Sequence, residues 1–164
     1  MRPQILFPLF ADVRTLPGVG PKIAPLVERA AGPHLVDLLW HLPAGLVDRR
    51  FSPPVADAPS GAIVTLRVRV VAHAKPRTPR LPYKVRCEDD SGPVDLVFFH
   101  AKGDYLERQL PVGETRIVSG RIERFRDDVQ MAHPDHIGTP DRFDEIATVE
   151  PVYGLTAGLS PKLL

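Results

Sequence analysis

Cysteine and long apolar runs are nearly absent from this 164-residue chain. The single cysteine, Cys87, excludes an internal disulfide and a cysteine-rich zinc site, and it is typical of a reducing compartment. No apolar stretch approaches the roughly twenty residues of a membrane span. The N-terminus is broken by prolines and lacks the apolar run and cleavage site of a signal peptide. The sequence therefore predicts a soluble cytoplasmic protein with no membrane partner.

Signatures of catalysis are missing as well. The chain has no Gly-x-x-x-x-Gly-Lys-Ser/Thr loop for nucleotide phosphates and no Gly-x-Ser-x-Gly elbow for a nucleophilic serine. Cys87 lies within a predicted strand, where a buried, inert thiol is expected. His133 and His136 flank Asp135, but two histidines and a carboxylate beside a proline are more typical of a solvated loop than of a metal site. We therefore expect no catalytic residue, metal, cofactor or enzyme activity in this chain alone.

Charge is balanced overall, at a net +1, but it is unevenly distributed. Residues 61–126 hold thirteen Lys/Arg and eight Asp/Glu, a net charge of +5, whereas residues 127–164 hold two and seven, a net charge of −5. The positive middle favours an anionic partner. A further hypothesis is that the acidic segment 127–164 covers the basic face of residues 61–126.

Prolines, 19 in all, divide the first part of the chain into short elements. Pro21 suits the first position of a helix that runs to Ala30, and Gly32-Pro33 ends it. A second helix is predicted from His34 to His41, with an apolar stripe of Leu35, Leu38, Leu39 and Leu42. Three further prolines at 53, 54 and 59 predict a linker, which places a domain boundary near residues 55–61.

Beyond residue 61 the pattern changes to alternation, which is typical of half-buried strands. Strands are predicted at about 64–70, 83–87, 94–99, 115–125 and 129–132, with a helix at 101–110 between the third and fourth. This is the order of an OB-fold, a small Greek-key barrel. The predicted fold class is therefore mainly β with some α: a helical element at 1–55, an OB-fold at 61–137 and an acidic exit segment at 138–164, in which Ser160-Pro161 resembles a helix start.

Basic residues accompany the predicted strands and the proline-rich loop between the first two of them. A surface of this kind can follow a nucleic-acid backbone. An equally ordinary explanation is a solvated outer face, because any half-exposed sheet needs polar residues there. The candidate phosphate contacts are Arg67, Arg69, Lys75, Arg77, Arg80, Lys84, Arg86, Arg121 and Arg124.

Aromatic residues favour the nucleic-acid interpretation. Phe98 and Phe99 are adjacent on a predicted strand, so their side chains point to opposite faces if the pleat continues. One ring can then enter the core while the other remains available to stack on a base. A strand end that bends would instead bury both rings. Tyr105 follows on the predicted helix as a further candidate.

A second candidate site lies near the N-terminus. The segment Leu16-Pro17-Gly18-Val19-Gly20-Pro21-Lys22 matches the hairpin of a helix-hairpin-helix element. Backbone N–H groups at Gly18 and Gly20, with Lys22, could hold a DNA phosphate there. The alternative is a turn that only packs two helices together.

These segments, in this order, resemble the N-terminal wedge region of the RecG family of bacterial ATP-dependent DNA helicases. The resemblance covers nearly the whole chain. It rests on the hairpin segment, on Asp37-Leu38-Leu39-Trp40-His41-Leu42-Pro43 with Asp48-Arg49, on Phe98-Phe99, on Met131-Ala132-His133-Pro134, and on the segments Val149-Glu150-Pro151-Val152-Tyr153 and Leu155-Thr156-Ala157-Gly158-Leu159-Ser160.

The resemblance implies an OB-fold wedge that separates strands at replication forks and other DNA junctions during repair and recombination. It assigns Phe99 and Tyr105 to base stacking, with Phe98 as the buried neighbour. Motor domains that use ATP and Mg²⁺ would follow Leu164 in a full-length relative. Branched DNA is the expected partner, a single-strand-binding protein is a second one, and a monomer is expected.

Two other functions remain open. The OB surface or the proline-rich loop could dock a partner such as a single-strand-binding protein, with DNA contact incidental. The chain could also be an independent single-strand-binding protein. Phosphate contacts would make DNA affinity fall steeply with salt, whereas an apolar protein interface would respond little.

Overall fold

The computed structural model describes residues 3–78, 80–99, 103–126 and 128–159. Within these ranges the strands are β1 (Gly45–Asp48), β2 (Ile63–Ala74), β3 (Tyr83–Asp89), β4 (Gly92–Phe98), β5 (Thr115–Phe125), β6 (Asp128–Ala132), β7 (His136–Gly138) and β8 (Val149–Val152). The α-helices are α1 (Ala24–Ala30), α2 (Leu35–Trp40), α3 (Gly103–Gln109) and α4 (Phe143–Ile146). Short 3₁₀ helices occupy Gln4–Phe10, Val13–Thr15, Val55–Asp57 and Pro140–Arg142. No helix in the described ranges is both long and apolar enough to cross a membrane.

The chain forms two compact units. The first contains residues up to Leu46 and those from Pro151 onward, and the second is Val47–Glu150. These divisions differ from the predicted segments 1–55, 61–137 and 138–164. The difference arises because residues from Pro151 onward belong to the first unit, whereas the sequence analysis placed residues 138–164 in a separate exit segment. The proposed helix start at Ser160-Pro161 lies outside the described residues.

The second unit is a closed barrel of five strands, which confirms the predicted OB-fold. Its strands follow the order β2-β3-β4-β6-β5, and pairing of β2 with β5 closes the ring. The helix α3 lies in sequence between β4 and β5, as predicted. The short β7, which the sequence analysis did not predict, adds to β5 by antiparallel pairing from Ile117↔Gly138 to Ser119↔His136.

Alternation along the strands builds the barrel core. Val64, Leu66, Val68 and Val70 of β2 are all buried, while Arg67 and Arg69 between them are exposed. Cys87 is buried in the same core, as predicted. Burial raises the pKa of its thiol to about 12, so that it stays protonated and unreactive near neutral pH.

The turn between β3 and β4 is the predicted Asp89-Asp90-Ser91-Gly92. The Asp89 carboxylate accepts hydrogen bonds from the backbone N–H groups of Ser91 and Gly92, and also from Val55 at 2.8 Å. Burial acts to raise the pKa of Asp89, but these bonds and one from the Ser91 hydroxyl lower it overall. The turn thus fixes the hairpin register from Tyr83↔Phe98 to Asp89↔Gly92.

The first unit contains the two predicted helices in shorter form. The helix α1 begins at Ala24 with Pro25 in its first turn, because residues 21–23 form a turn instead. The predicted apolar stripe of α2 is buried only in part. Leu38 packs against the small core of Val13, Val27 and Leu159, whereas Leu39 and Leu42 are exposed. A helix of six residues has too few turns to present a full stripe to one core.

Candidate nucleic-acid interface

Phe98 is buried and Phe99 is exposed, which is one of the two outcomes that the sequence left open. Phe98 is the last residue of β4, and its side chain belongs to the barrel core at 7% exposure. Phe99 follows immediately and is 49% exposed. The ring of Phe99 is therefore available to contact a ligand at the end of β4.

His133 is the residue that meets Phe99. The Phe99 backbone N–H donates to His133 Nε2 at 3.1 Å, and the two rings lie 5.5 Å apart between centroids at an angle of 35°. His133 also makes an edge contact with Phe98 at 6.1 Å. The sequence analysis had considered His133 only as a metal ligand. In the described part of the chain, no cluster of three or more His, Cys, Asp or Glu side chains is placed to hold a metal ion.

Tyr105 lies on α3 and is 55% exposed. Its exposure is compatible with the predicted stacking role. Among the described residues, the ring that contacts Phe99 is His133 and not Tyr105. The stacking assignment of Tyr105 thus stays a prediction.

The basic residues of β2 and β3 already have partners within the barrel. Arg69 pairs with Glu88, and Arg67 lies over the ring of Phe143 with its Cζ 5.8 Å from the centroid. Lys84 and Arg86 share Asp95, at 3.7 and 2.6 Å. Arg67 and Arg69 also line a surface pocket of about 300 Å³ together with three carboxylates, Glu88, Asp89 and Asp90. A phosphate at these positions would have to displace or outcompete negative charge.

The two predicted phosphate contacts on β5 donate hydrogen bonds to backbone carbonyls of the same unit. Arg121 donates to the Gly61 carbonyl at 2.6 Å. Arg124 donates to three carbonyls of one loop, those of Val55, Ala56 and Ala58. Sequence alone could not separate such an arginine from a surface one, because its acceptors lie more than sixty residues away.

The basic residues in the loop between β2 and β3 have the fewest ion pairs and hydrogen bonds of the candidate phosphate contacts, within the described ranges. Lys75 pairs with Glu107 of α3 at 2.7 Å, and this contact raises the pKa of Lys75. Arg77 and Arg80 are exposed and form no ion pair or hydrogen bond within the described ranges. Of the nine candidate phosphate contacts, these two arginines have no charged or hydrogen-bonding partner to exchange within the described ranges.

The N-terminal hairpin segment forms a tight turn. Gly18 has φ +86°, a conformation that favours glycine, and the Val19 N–H donates to the Leu16 carbonyl at 3.1 Å. Lys22 is exposed, and Gly18 and Gly20 have open space where a side chain would be. The element before the turn is only the 3₁₀ helix Val13–Thr15, so a second full helix does not flank the hairpin.

Arg49 forms the main buried polar cluster of the second unit. Its guanidinium, 8% exposed, donates to Glu150 at 2.6 Å and to Asp135 at 2.9 Å. The Thr65 hydroxyl donates to the Arg49 carbonyl at 2.7 Å and lies 2.9 Å from Ser119 Oγ, where it can accept the Ser119 proton. These contacts close the cluster from the barrel side. Burial acts to lower the pKa of Arg49, but the two carboxylates raise it overall. Two acids of the 127–164 segment therefore pair with Arg49, not with any of the nine basic candidates.

One cluster of arginines escaped the sequence analysis. Arg108, Arg116 and Arg142 line a pocket of about 240 Å³ with Thr139. Arg116 donates to the Gln109 carbonyl, and Arg142 pairs with Glu145, so part of this charge is already engaged. The three residues come from α3, β5 and the 3₁₀ helix Pro140–Arg142, and no spacing in the sequence connects them.

Comparison with known proteins agrees with this geometry. The family model described as the RecG wedge domain matches residues 12–164. The chain belongs to the RecG wedge domain family. The ATP-dependent DNA helicase RecG of Pasteurella multocida (strain Pm70) is 28% identical over 152 residues, which are 92% of this chain and 22% of that protein.

A solved structure shows the same fold. The structure of RecG bound to a three-way DNA junction superimposes with a TM-score of 0.78 and 25% identity, over 94% of this chain and 21% of that one. The chain thus spans about a fifth of the length of both relatives. The barrel described above lies within the residues that match the wedge domain of this family.

Two arginines of this wedge domain allow a test that separates fold from DNA contact. We expect Arg124→Gln to lower the free energy of unfolding by about 1–2 kcal/mol, because it removes charge-assisted bonds to three carbonyls. Arg77→Gln is expected to leave stability within about 0.5 kcal/mol and to weaken DNA binding, with the salt slope reduced by about 1. Urea unfolding and fluorescence anisotropy measure the two effects. Equal effects of both variants on DNA affinity would contradict the distinction.

Acid sensitivity provides a test of the Arg49 cluster in the wedge domain. The hydrogen bond from Arg49 lowers the pKa of Glu150 below its ordinary value of 4.5, so the ionised form stabilises the fold. This contribution is complete above pH 4.5 and is lost as the pH falls through the lowered folded value. We expect the stability difference between wild type and Glu150→Gln to be largest near neutral pH and to shrink under acid, as measured by thermal unfolding. A constant difference over this range would contradict the pairing.

Proposed function

We propose that this chain binds branched DNA as the wedge region of a RecG-like helicase, with Phe99 at the branch and the β2–β3 loop on phosphates. The exposed ring of Phe99, at the end of a barrel strand in a RecG wedge domain, carries the proposal. The proposal is supported by the solved structure of RecG, which has the same fold and is bound to a three-way DNA junction. The role in DNA repair and recombination follows from the same assignment.

Stacking energies define what such a wedge can do. Separating a base from its neighbours costs a few kcal/mol, and stacking a base on an aromatic side chain returns about 1–3 kcal/mol. The two terms are comparable, so a single exposed ring can hold an open junction but cannot advance along DNA. Movement requires work from another source. The sequence has no Gly-x-x-x-x-Gly-Lys-Ser/Thr loop to bind ATP, so we assign that work to the remainder of a longer RecG-like protein.

Phosphate contacts complete the proposed interface. Arg77 and Arg80 are exposed in the loop between β2 and β3, without carboxylate partners among the described residues. They can neutralise phosphates without first breaking an ion pair. Arg67, Arg69, Lys84 and Arg86 can join only by exchanging the partners described above. Arg77 and Arg80 are therefore the principal phosphate contacts of the proposal.

Fluorescence anisotropy with three labelled DNAs tests the function. A three-way fork, a matched duplex and a single strand of the same length are compared at low and moderate salt. We expect the fork to bind most tightly, with affinity falling steeply as salt rises. Preference for the plain single strand would favour an independent single-strand-binding protein. Equal or absent binding to all three would contradict the proposal, and binding to a single-strand-binding protein would then support the interaction module.

A further inference from the structure

The parallel pairing of β4 and β6 brings His133 to Phe99. Its register runs from Asp95↔Gln130 to Val97↔Ala132, so His133 follows directly on the last paired position of β6, and Phe99 lies two residues beyond the last paired position of β4. The His133 N–H continues the ladder by donating to the Val97 carbonyl at 2.8 Å. Residues 34 positions apart in the sequence are thereby neighbours at one end of the barrel.

The backbone then turns sharply at His133. This residue has φ +45°, a left-handed conformation that is uncommon for residues other than glycine. The turn places the imidazole against the end of β4, where its Nε2 accepts the Phe99 N–H. A side chain thus takes the place that a strand carbonyl would occupy if β6 continued. The contact uses Nε2 as its acceptor, which is the role of that nitrogen in the neutral tautomer with N–H at Nδ1.

The segment that carries His133 is held on its other side as well. The Asp135 N–H donates to the Ser119 carbonyl at 2.8 Å, and the Asp135 carboxylate pairs with Arg49. Gly120 allows this close approach, because a Cβ there would lie 3.3 Å from Pro134 Cα. The backbone that carries the imidazole is therefore held by hydrogen bonds to both β4 and β5.

We propose that His133 is a positioning residue that holds the Phe99 ring where a junction base stacks. The hydrogen bond fixes the Phe99 backbone beyond the end of β4, and the tilted ring contact restricts the Phe99 side chain. Without His133, the Phe99 amide would bond to water and the exposed ring would sample more orientations. Binding a base would then require ordering that ring first. The inference rests on the proposed function, since it assigns a role within the same site.

A double-mutant cycle on fork binding tests the inference. We expect His133→Ala to weaken fork binding about threefold to tenfold, the range of one net hydrogen bond. In the Phe99→Ala background the same change is expected to have almost no effect, because the ring to be positioned is gone. His133→Gln keeps an acceptor of similar reach and is expected to restore most of the affinity. The Phe99 amide signal in a ¹H–¹⁵N spectrum is expected to shift in His133→Ala and to return toward its original position in His133→Gln.

Controls distinguish this inference from the function on which it rests. His136→Ala changes a neighbouring histidine that contacts Glu150, and it is expected to leave fork affinity unchanged. Additive effects of the His133 and Phe99 substitutions, with Phe99→Ala itself weakening fork binding, would overturn the positioning role alone. If Phe99→Ala does not weaken fork binding, the proposed function itself fails. A loss of affinity in His133→Ala that His133→Gln does not restore would also overturn the positioning role.

Discussion

Phe99→Ala is expected to weaken binding to a three-way fork at least fivefold. Base–aromatic stacking is worth about 1–3 kcal/mol per base, which corresponds to about five- to 150-fold in Kd. Phe99 is half exposed and makes little contribution to the core, so the substitution should remove stacking without disturbing the barrel. Anisotropy with fork, duplex and single strand measures the effect. The loss should be largest for the fork, because only the branch offers an unpaired base beside a duplex.

Phe125→Ala is the matched control for this experiment. Phe125 is also an exposed phenylalanine at a strand end of the same barrel, 68% exposed, with the Arg126 guanidinium 5.5 Å from its ring. We expect this variant to bind the fork within about twofold of wild type, as is usual for substitutions away from an interface hot spot. Equal losses in both variants would show that any exposed aromatic contributes, and no loss in Phe99→Ala would remove Phe99 from the branch. Thermal unfolding of both variants verifies that the barrel is intact.

Arg49→Met is expected to lower the free energy of unfolding of the second unit by about 2–3 kcal/mol. Breaking a buried ion pair by removing one partner costs about 3–5 kcal/mol. Here the carboxylates of Asp135 and Glu150 are about half exposed, so water can solvate them and reduce the cost. Methionine retains most of the aliphatic volume of arginine, which limits cavity formation. Urea unfolding followed by circular dichroism measures the loss.

Arg50→Met provides a comparison at the adjacent position. Arg50 is 65% exposed and pairs with the exposed Asp48 at 2.7 Å. Solvent-exposed pairs of this kind contribute little to stability, so the variant should unfold close to the wild-type midpoint. If the two substitutions have equal effects, burial of the Arg49 cluster contributes nothing to stability. A change in m-value for Arg49→Met alone would indicate an altered unfolded or native ensemble instead.

Much of the barrel was predictable because its strands carry strong local patterns. The alternation along β2 and the turn at Asp89-Asp90-Ser91-Gly92 led to the correct OB-fold, and the helix between the third and fourth barrel strands was placed correctly. Short elements were missed for the opposite reason. The three residues of β7 and the four of β1 and β8 are too short to show a period, and their pairing partners are distant in the sequence.

The candidate site was predictable at the level of single residues. One buried and one exposed phenylalanine at positions 98 and 99 match one of the two expected outcomes, although β4 ends at Phe98 and Phe99 lies just beyond it. The basic candidates could not be sorted in this way. Arg124 and Arg77 look alike in the sequence, yet one donates to three distant carbonyls and the other is exposed in a loop. Which arginines remain free depends on acceptors supplied by other parts of the fold.

By itself the sequence determined the fold class, the burial of Cys87 and the resemblance to the RecG family, since each depends on local period or contiguous motifs. Only the tertiary structure decided that Arg49 joins Asp135 and Glu150, and that His133 holds the Phe99 amide. Both contacts depend on strand register, which brings together residues between 34 and 101 positions apart. Local sequence cannot specify such pairs, because a strand slipped by one residue places every side chain on the opposite face.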